Sequence, residues 1–266
     1  MNPLVTLMRR YWADYLSRQN VDALDNILVE DYVLRIGGGE FVGRDQFKAA
    51  AADIFKYFPD LEMIVHDIIT DGSRMAVLFS ERGNWRAGGS AMWDVITLFR
   101  SDGKLLRSCY AEQDFMGRRN QLRSGIPADR TLGGRSPWAA EVGSRDEVTE
   151  RVARDWLLAQ DLHAAPSGVL DGTDIADAHR WLLAEETVID ELFSVGQRAA
   201  FHLTQQGRYQ GGFEDLTDAD IGREASCHVS GVLDVQDGAV CRVYAVSDRL
   251  ESEQRLKDAA LSPVGG

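Results

Sequence analysis

The sequence predicts an α+β protein made of two similar halves, each with a strongly curved antiparallel or mixed sheet wrapped around helices, the second half being truncated. Two observations lead to this prediction. The segment YAEQD at 110–114 recurs as YAVSD at 244–248, each time between a strand-like run and a helical pattern. Runs of short strands also precede both copies in the same order, which is typical of meanders and not of alternating βαβ units.

The strands are predicted from two pairs of matching hairpins. The runs at 93–114 and 227–248 both place Asp-Gly between alternating apolar residues, and such a loop favours a type I′ turn with positive φ at both central positions. One hairpin earlier, 65–83 matches 189–207 without a gap. Four identities share a constant offset of 124 in residue number: Gly72 and Gly196, Arg74 and Arg198, Ala76 and Ala200, Gly83 and Gly207.

The helices are predicted from two further pairs of similar segments, 14–20 with 155–161 and 39–50 with 168–179. The second pair shares G-x-x-x-G-x-D before a helical pattern, so Asp45 and Asp174 are predicted to cap helices. Between the two pairs, the long segment 21–38 of the first half is matched only by the short segment 162–167 of the second. The missing piece has the pattern of a short helix followed by a first strand.

These elements divide the chain into two predicted domains, 1–122 and 145–258. The segment between them, 123–144, is rich in Gly, Pro, Ser and Arg, which is typical of a linker, and 259–266 forms a tail. Before its Asp-Gly turn the second half has an insertion, because 208–236 there takes the place of the shorter 84–101 in the first half. The two halves therefore differ in length at two places.

Composition excludes several classes of function. The net charge is −13 and the basic residues are scattered, so the chain lacks the concentrated Lys/Arg stripe of a nucleic-acid surface. The segment 1–16 has an amphipathic helix pattern interrupted by charges, without a signal peptide or an apolar span, which predicts a cytoplasmic protein with no membrane partner. Three cysteines (Cys109, Cys227 and Cys241) lack the spacing of a zinc site and are predicted to be reduced thiols, with no metal bound.

The order of elements resembles the SnoaL-like polyketide cyclase branch of the NTF2-like superfamily. The G-x-x-x-G helix start, the segment GRYQGGFEDLTDADIGREAS at 207–226 and the strand, Asp-Gly, strand, Asp, helix ending carry this resemblance, which recurs in both halves. It implies two cone-shaped domains, each with an apolar pocket inside a bent sheet and an outer face that packs against a partner. Members of this family form homodimers, so the resemblance implies an internal pseudo-dimer of the two halves or a homodimer of the chain.

The resemblance also implies an acid/base carboxylate near the end of the last long strand, facing the pocket, and Asp114 and Asp248 occupy that place. A carboxyl group buried in an apolar pocket has a raised pKa and exchanges protons near neutral pH. The alternative is that each Asp caps the following helix. The two interpretations balance at Asp114, whereas capping is favoured at Asp248.

Strand alternation adds a second candidate carboxylate. Tyr110, Glu112 and Asp114 are predicted to share one face of the last strand, so Glu112 would join Asp114 in the pocket. Val246 takes the place of Glu112 in the second half. The first half is therefore predicted to be catalytic and the second to be mainly scaffold.

Amphipathic aromatic residues of the first half are candidates for substrate contacts, together with one strand histidine: Tyr15, Trp12, Trp93, Tyr110 and His66. Core packing is the alternative for the aromatic residues, and a lone strand histidine is more often hydrogen-bonded or at the surface. In the second half, His228 aligns with Trp93.

The predicted function is a cofactor-free acid/base enzyme acting on a hydrophobic, carbonyl-bearing cyclic or aromatic small molecule. Proton removal next to a carbonyl leads to aldol cyclisation, isomerisation or retro-aldol cleavage, and ketosteroid isomerase is an established example of such chemistry in this fold. One alternative is a hydrolase or dehydratase, which an Asp-Arg-Asp or Asn-Tyr relay in the pocket would favour, although the sequence pattern places no such cluster there. The other is a non-catalytic small-molecule-binding protein, because fold does not determine function.

Overall fold

The computed structural model describes residues 2–128, 136–159 and 161–261, which form two units with one six-stranded sheet each. The first unit begins with helix α1 (Pro3–Arg10), a π-helical turn (Tyr11–Leu16) and a 3-10 helix (Val21–Asn26). Its strands are β1 (Leu28–Ile36), β2 (Gly39–Val42), β3 (Glu62–Thr70), β4 (Arg74–Asn84), β5 (Ser90–Ser101) and β6 (Leu106–Gln113). Helix α2 (Arg44–Tyr57) lies between β2 and β3, and helix α3 (Phe115–Ser124) follows β6.

The second unit contains helix α4 (Glu147–Ala159), six strands and helix α5 (Arg249–Leu261). Its strands are β7 (Gly168–Leu170), β8 (Thr173–Asp174), β9 (Leu182–Val195), β10 (Arg198–Tyr209), β11 (Glu224–Gln236) and β12 (Ala239–Ser247). Short 3-10 helices lie at Pro137–Ala139, Leu162–Ala164 and Asp218–Asp220. The predicted linker (123–144) and the predicted tail (259–266) lie partly outside the described residues, at 129–135 and 262–266.

The two sheets have the same topology. Their strand orders are β2-β1-β6-β5-β4-β3 and β8-β7-β12-β11-β10-β9, and the β1–β6 and β7–β12 pairs are the parallel ones among antiparallel neighbours. The α+β fold class with two sheet-and-helix units, predicted from the repeated segments, is confirmed. Among the described helices, none combines the length and the apolar character needed to cross a membrane.

Three local predictions are wrong. The helix expected after Asp174 does not form, because Thr173–Asp174 is β8 and only turns separate it from β9. The first strand of the second half, expected to be missing, is present as the short β7, which pairs with β12 as β1 pairs with β6. Asp45 does not cap α2, because this helix begins at Arg44 with Gly43 (φ +90°) at the N-cap, so Asp45 lies in its first turn.

The two predicted Asp-Gly turns differ in geometry. In the β11–β12 hairpin both central residues have positive φ, with Asp237 at 51° and Gly238 at 78°, as predicted for a type I′ turn. The β5–β6 loop is longer, and Gly103 alone of its Asp-Gly pair has positive φ. Oδ1 of Asp102 accepts from the backbone N–H groups of Lys104 and Leu105 at 2.9 Å each, and this Asx turn replaces the two-residue loop.

Each sheet has an inner face, which packs against the helices of its own unit, and an outer face, which packs against the other sheet. The outer faces meet in an apolar cluster of Ile69, Ala76, Leu78, Ile96, Leu98, Phe193, Ala200, Val232 and Val246. Burying these side chains removes a broad apolar surface of both units from water. The two units are therefore held together sheet against sheet.

Reciprocal ion pairs border this contact. Nη1 of Arg74 in the first unit lies 3.7 Å from Glu191 in the second, and Nη2 of Arg198 in the second unit lies 2.6 Å from Asp67 in the first. Arg198 is the counterpart of Arg74, and Glu191 that of Asp67, at the constant offset of 124 found in the sequence. Each pair is thus the counterpart of the other, as in an isologous interface.

Candidate active site

The inner face of the first sheet places an ionisable side chain among aromatic ones. Along β4, Met75, Val77 and Phe79 face inward, and the alternation continues to Glu81, which is 8% exposed. Glu81 pairs with Trp93 of β5, the largest fully buried side chain among the described residues. Strand alternation therefore delivers a carboxyl group into an aromatic interior.

Two phenols join the same interior cluster from the N-terminal helical segment. The π-helical turn, in which the N–H of Ser17 donates to the carbonyl of Trp12 at 2.9 Å, carries Tyr11 and Tyr15. Their ring centroids lie 4.8 Å apart in an edge-on arrangement. Burial raises the pKa of both phenols, and the nearby Glu81 adds to the rise, so both stay protonated and are able to donate hydrogen bonds.

The carboxyl group of Glu81 titrates near neutral pH. Burial raises its pKa to about 7, although the cation of Arg118 and the indole N–H of Trp93 both favour the ionised form. The same indole Nε1 donates to Oε1 of Gln113 at 3.0 Å. At pH 7 the group is divided between carboxylate and carboxylic acid, so one side chain is able to remove a proton and to return it.

The corresponding position of the second sheet carries a neutral side chain. Gln205 is the counterpart of Glu81 at the same offset, and it pairs with Cys227 of β11, as Glu81 pairs with Trp93 of β5. The cavity beside Gln205 has a volume of about 30 Å³, enough for about two water molecules. The two units therefore share a topology but differ in the chemistry of their interiors.

The raised pKa of Glu81 predicts a pH-dependent stability. The folded protein holds an extra proton between the ordinary pKa of 4.5 and the folded value of about 7, so the free energy of unfolding falls as pH rises through this window. Because glutamine does not titrate, the free energy of unfolding of Glu81→Gln is expected to rise relative to that of the wild type by about 2–3 kcal/mol between pH 5 and pH 8. Urea denaturation at both pH values measures this gain. A difference that does not change with pH would contradict the raised pKa.

Asp114, for which acid/base catalysis and helix capping were the alternatives, lies at the N-terminus of α3. Its Oδ1 accepts from the N–H of Gly117 at 2.9 Å and from Nη2 of Arg249, in the second unit, at 2.7 Å. Nε of the same guanidinium lies 3.0 Å from Oδ2 of Asp171. Asp114 therefore caps α3 and belongs to an Asp-Arg-Asp cluster between the two units, and its role in catalysis stays a prediction.

Asp248 occupies the same place before α5. Its Oδ1 accepts from the N–H of His228 at 2.8 Å and from Oγ of Ser252 at 3.0 Å, and its Oδ2 lies 2.8 Å from Nη2 of Arg255. His228, Ser252 and Arg255 belong to the same unit as Asp248, whereas Asp114 is bound by Arg249 of the other unit.

Tyr110 and Glu112 lie on the outer face of the first sheet, so the prediction that they face the pocket is wrong. Strand β6 turns Cys109 and Ala111 inward instead, and Tyr110 packs against the cluster between the sheets. Glu112 is 1% exposed, and its Oε1 lies 3.2 Å from Nε2 of His202 in the second unit. Alternation was predicted correctly, but the sequence did not distinguish the inner face from the outer one.

The Glu112 contact continues through a chain of polar side chains on the second sheet. Nδ1 of His202 lies 2.8 Å from Oδ2 of Asp190, which also accepts from Oγ1 of Thr204 at 3.0 Å. The same hydroxyl lies 3.1 Å from Nδ1 of His228. Burial favours neutral His202, but its hydrogen bonds to Asp190 and Glu112 outweigh burial and raise the pKa of His202. Burial also raises the pKa of Glu112.

His66 lies on the outer face of the first sheet and not in the interior, contrary to its predicted contact with substrate. Its Nε2 lies 2.8 Å from Oγ of Ser80, which donates to Oδ1 of Asp94 at 2.9 Å. The equivalent positions of the second sheet are Asp190, Thr204 and His228, so the acid and the base have exchanged places. His228 therefore corresponds to Asp94, and the predicted alignment with Trp93 is wrong by one residue.

The remaining aromatic candidates divide between the interior and the surface. Tyr15 and Trp93 lie in the interior with Glu81, and their contact with a substrate stays a prediction. Trp12 lies outside this interior: it is 38% exposed, its Nε1 donates to the carbonyl of Met63 at 3.0 Å, and its ring centroid is 5.6 Å from that of Trp138.

Sequence reasoning missed Glu81, although two signals for it were present. The period-2 pattern of Met75, Val77 and Phe79 extends to position 81, which marks an inward-facing carboxylate. The constant offset of 124 also aligns Glu81 with Gln205, an acid with its neutral isostere. Identical positions of the matched hairpins define the repeat, whereas this differing position marks the candidate site.

Comparison with known proteins identifies the family of the first unit. Residues 8–108 match the model of the SnoaL-like domain. No curated protein matches this sequence. Solved structures that resemble part of the chain include a SnoaL-like protein from Jannaschia sp. CCS1, proposed to be a polyketide cyclase (17% identity, 44% of this chain and 90% of that chain, TM-score 0.42).

Two further solved structures show a similar partial likeness. One is IdmH from Streptomyces antibioticus, proposed to be a polyketide cyclase (16% identity, 46% of this chain and 99% of that chain, TM-score 0.42). The other is an LEH-like epoxide hydrolase from M. tuberculosis (15% identity, 46% of this chain and 90% of that chain, TM-score 0.40). The family model thus places a SnoaL-like domain at residues 8–108 of this chain, which is less than half of its length.

Proposed function

We propose that the first unit is an acid/base enzyme that moves a proton next to a carbonyl group of a hydrophobic cyclic or aromatic small molecule, with Glu81 as the acid/base group. The observation that carries this proposal is a buried carboxyl group with a pKa of about 7, in an aromatic interior, where the second unit has glutamine. The match of residues 8–108 to the model of the SnoaL-like domain supports the same class of substrate.

The proposed reaction uses groups of the protein alone. The carboxylate of Glu81 accepts a proton from the carbon next to the carbonyl. The electron pair of the broken C–H bond forms a carbon–carbon double bond, and the π pair of the carbonyl moves to its oxygen, giving an enolate. The protonated phenols of Tyr11 and Tyr15 are the donors available to this oxygen. Return of the proton from Glu81 to another carbon gives isomerisation. Attack of the enolate carbon on a second carbonyl gives ring closure, and the alkoxide that forms takes the proton back from Glu81.

The second unit is proposed to act as a scaffold, which makes the chain an internal pseudo-dimer. Gln205 is unable to exchange a proton at neutral pH, so the second interior lacks the proposed acid/base group. The reciprocal ion pairs between the outer faces support the comparison with a homodimer. Solution scattering of the purified chain distinguishes this pseudo-dimer from a homodimer of the whole chain.

Deuterium exchange tests the proposal without knowledge of the natural substrate. The protein is incubated in D2O with a panel of hydrophobic cyclic ketones, including 2-tetralone, and mass spectrometry measures deuterium at the carbon next to the carbonyl. We expect catalysed exchange whose kcat/KM rises with pH and levels off above about pH 7, because Glu81 acts as the carboxylate. Ketones that bind without any catalysed exchange would instead favour a non-catalytic binding protein.

Hydrolysis or dehydration is a second candidate function, supported by the Asp114, Arg249 and Asp171 cluster. Two carboxylates on one guanidinium are able to orient and deprotonate a water molecule, and Oδ2 of Asp114 is a buried atom with no hydrogen-bond partner in the described part of the chain. It stands second because Ser247 already donates to both oxygens of Asp171 at 2.7 Å. An epoxide opened with 18O from water at equal rates by the wild type and by Glu81→Gln would favour this candidate.

A further inference from the structure

Arg118 is a half-buried cation held against the aromatic wall of the first unit's interior. Its Cζ lies 4.3 Å from the ring centroid of Phe115, 5.1 Å from that of Trp93 and 5.6 Å from that of Phe58. Trp93 is also the strand partner of Glu81. The aromatic rings therefore hold the guanidinium over Trp93, the strand partner of the proposed acid/base group.

The neighbouring arginine of α3 shows the contrast. Nη1 of Arg119 lies 2.5 Å from Glu253 and 3.8 Å from Asp215. Within the described ranges, no carboxylate oxygen lies within 4.0 Å of the Arg118 guanidinium, and cation–π contacts are its close interactions. A half-buried guanidinium without an anion is costly, because burial removes hydration that an ion pair would replace.

Two carboxyl groups influence Arg118 from a greater distance. Glu81 lies in the interior, and Glu251 belongs to α5 of the second unit. Burial raises the pKa of each to about 7. Both are therefore largely protonated at pH 6, when Arg118 carries the local charge, and largely ionised at pH 8. Asp248 and Arg255 are the other charged groups that act on Glu251.

We infer that Arg118 binds an anionic group of the substrate, so that the substrate is a carboxylate-bearing cyclic or aromatic carbonyl compound. The inference rests on the proposed function only for the location of the site. A guanidinium forms paired, charge-assisted hydrogen bonds with a carboxylate, and these are about twice as strong as neutral ones. The aromatic rings around Arg118 provide the apolar surface on which the ring of such a substrate packs.

This binding mode has a pH signature that simple packing of Arg118 lacks. A bound carboxylate is repelled by ionised Glu81 and Glu251, so the anion binds more tightly when both acids are protonated. By linkage, its affinity rises as pH falls from 8 to 6, a range in which an ordinary carboxylic acid ligand stays ionised. A neutral ligand of the same shape carries no such dependence.

The test compares 2-naphthoate with its methyl ester by isothermal titration calorimetry on the full chain. We expect the acid to bind at least tenfold more tightly than the ester at pH 6, a difference of about 1.4 kcal/mol, and this preference to shrink at pH 8. Equal affinities of acid and ester at pH 6 would overturn the inference. Failure of both probes to bind at millimolar concentration would also count against it.

Variants separate charge from packing. Arg118→Gln is expected to abolish the preference for the acid, and Arg118→Lys to retain part of it, because lysine keeps the charge without the paired donors. Arg123→Gln removes a cation of the same helix outside the site and is expected to bind like the wild type. A full preference in folded Arg118→Gln would refute the assignment.

Deuterium exchange and calorimetric titration of Glu81→Gln together distinguish a failure of this inference from a failure of the proposed function. If Glu81→Gln still exchanges deuterium but the preference for the acid is present, the acid/base proposal fails and the anion site stands. If exchange depends on Glu81 but acid and ester bind equally, the anion site fails and the acid/base proposal stands.

Discussion

Glu81→Gln is expected to lower the rate of α-proton exchange by about 10²–10⁴-fold, the usual contribution of a positioned general base. Glutamine matches glutamate in shape but accepts no proton at neutral pH, so the change removes the chemistry and keeps the volume. The second unit already contains this substitution at Gln205, which shows that the topology accommodates the amide at this position. Mass spectrometry of quenched reactions measures the rate of deuterium incorporation into the ketone of the panel that exchanges fastest with the wild type.

Asp114→Asn is the informative comparison for this prediction. Because Asp114 is bound by Arg249 and caps α3, we expect its substitution to lower stability more than proton exchange. A large loss of activity in Asp114→Asn, with Glu81→Gln fully active, would transfer the acid/base role to the end of β6. Circular dichroism spectra of both variants check that their folds are intact.

Glu112→Val is expected to lower the free energy of unfolding by about 3 kcal/mol. It leaves His202, 3% exposed, with a buried Nε2 that has lost its acceptor, and breaking a buried charged pair by removing one partner is strongly destabilising. Val246 holds the equivalent position of the second unit and packs in the same apolar cluster as Leu78, the counterpart of His202. One end of the interface therefore has the polar pair Glu112 and His202, and the other end has the apolar side chains of Val246 and Leu78 at the equivalent positions.

The double variant Glu112→Val with His202→Leu reproduces the apolar version at the polar end. We expect it to recover most of the lost stability, because replacing a buried charged pair by apolar residues is often neutral or stabilising. A double-mutant cycle in urea measures the coupling, expected to be about 2–3 kcal/mol. Additive losses would mean that Glu112 and His202 contribute independently and that their contact has no energetic role.

Much of the architecture was predictable because repetition compensates for the weakness of single motifs. The Asp-Gly hairpin and the constant offset of 124 are enough to locate β3–β6 and β9–β12 from the sequence. The short β7 and β8 were missed because such brief strands carry no readable alternation. The helix after Asp174 was predicted wrongly because the segment between β8 and β9 is short, and in so short a segment the pattern does not distinguish a helix from the turns that form there.

The candidate site was less predictable because alternation states which residues share a face and not where that face points. Tyr110 and Glu112 do share a face, but it contacts the second sheet. The partners of Asp114 and Glu112 are Arg249 and His202, which are distant in sequence, belong to the other unit and are brought close by packing of the units. No spacing rule within one unit reaches such contacts.

Covalent joining of the two units has an evolutionary consequence at the position of Glu112. In a two-fold dimer of identical chains, every substitution is present twice, so an acid at one end of the interface forces the same acid at the other. In this chain Val246 occupies the position equivalent to Glu112, and Gln205 occupies the position equivalent to Glu81. Each half is thus exposed to selection on its own, and a change that would be harmful in duplicate is accepted once.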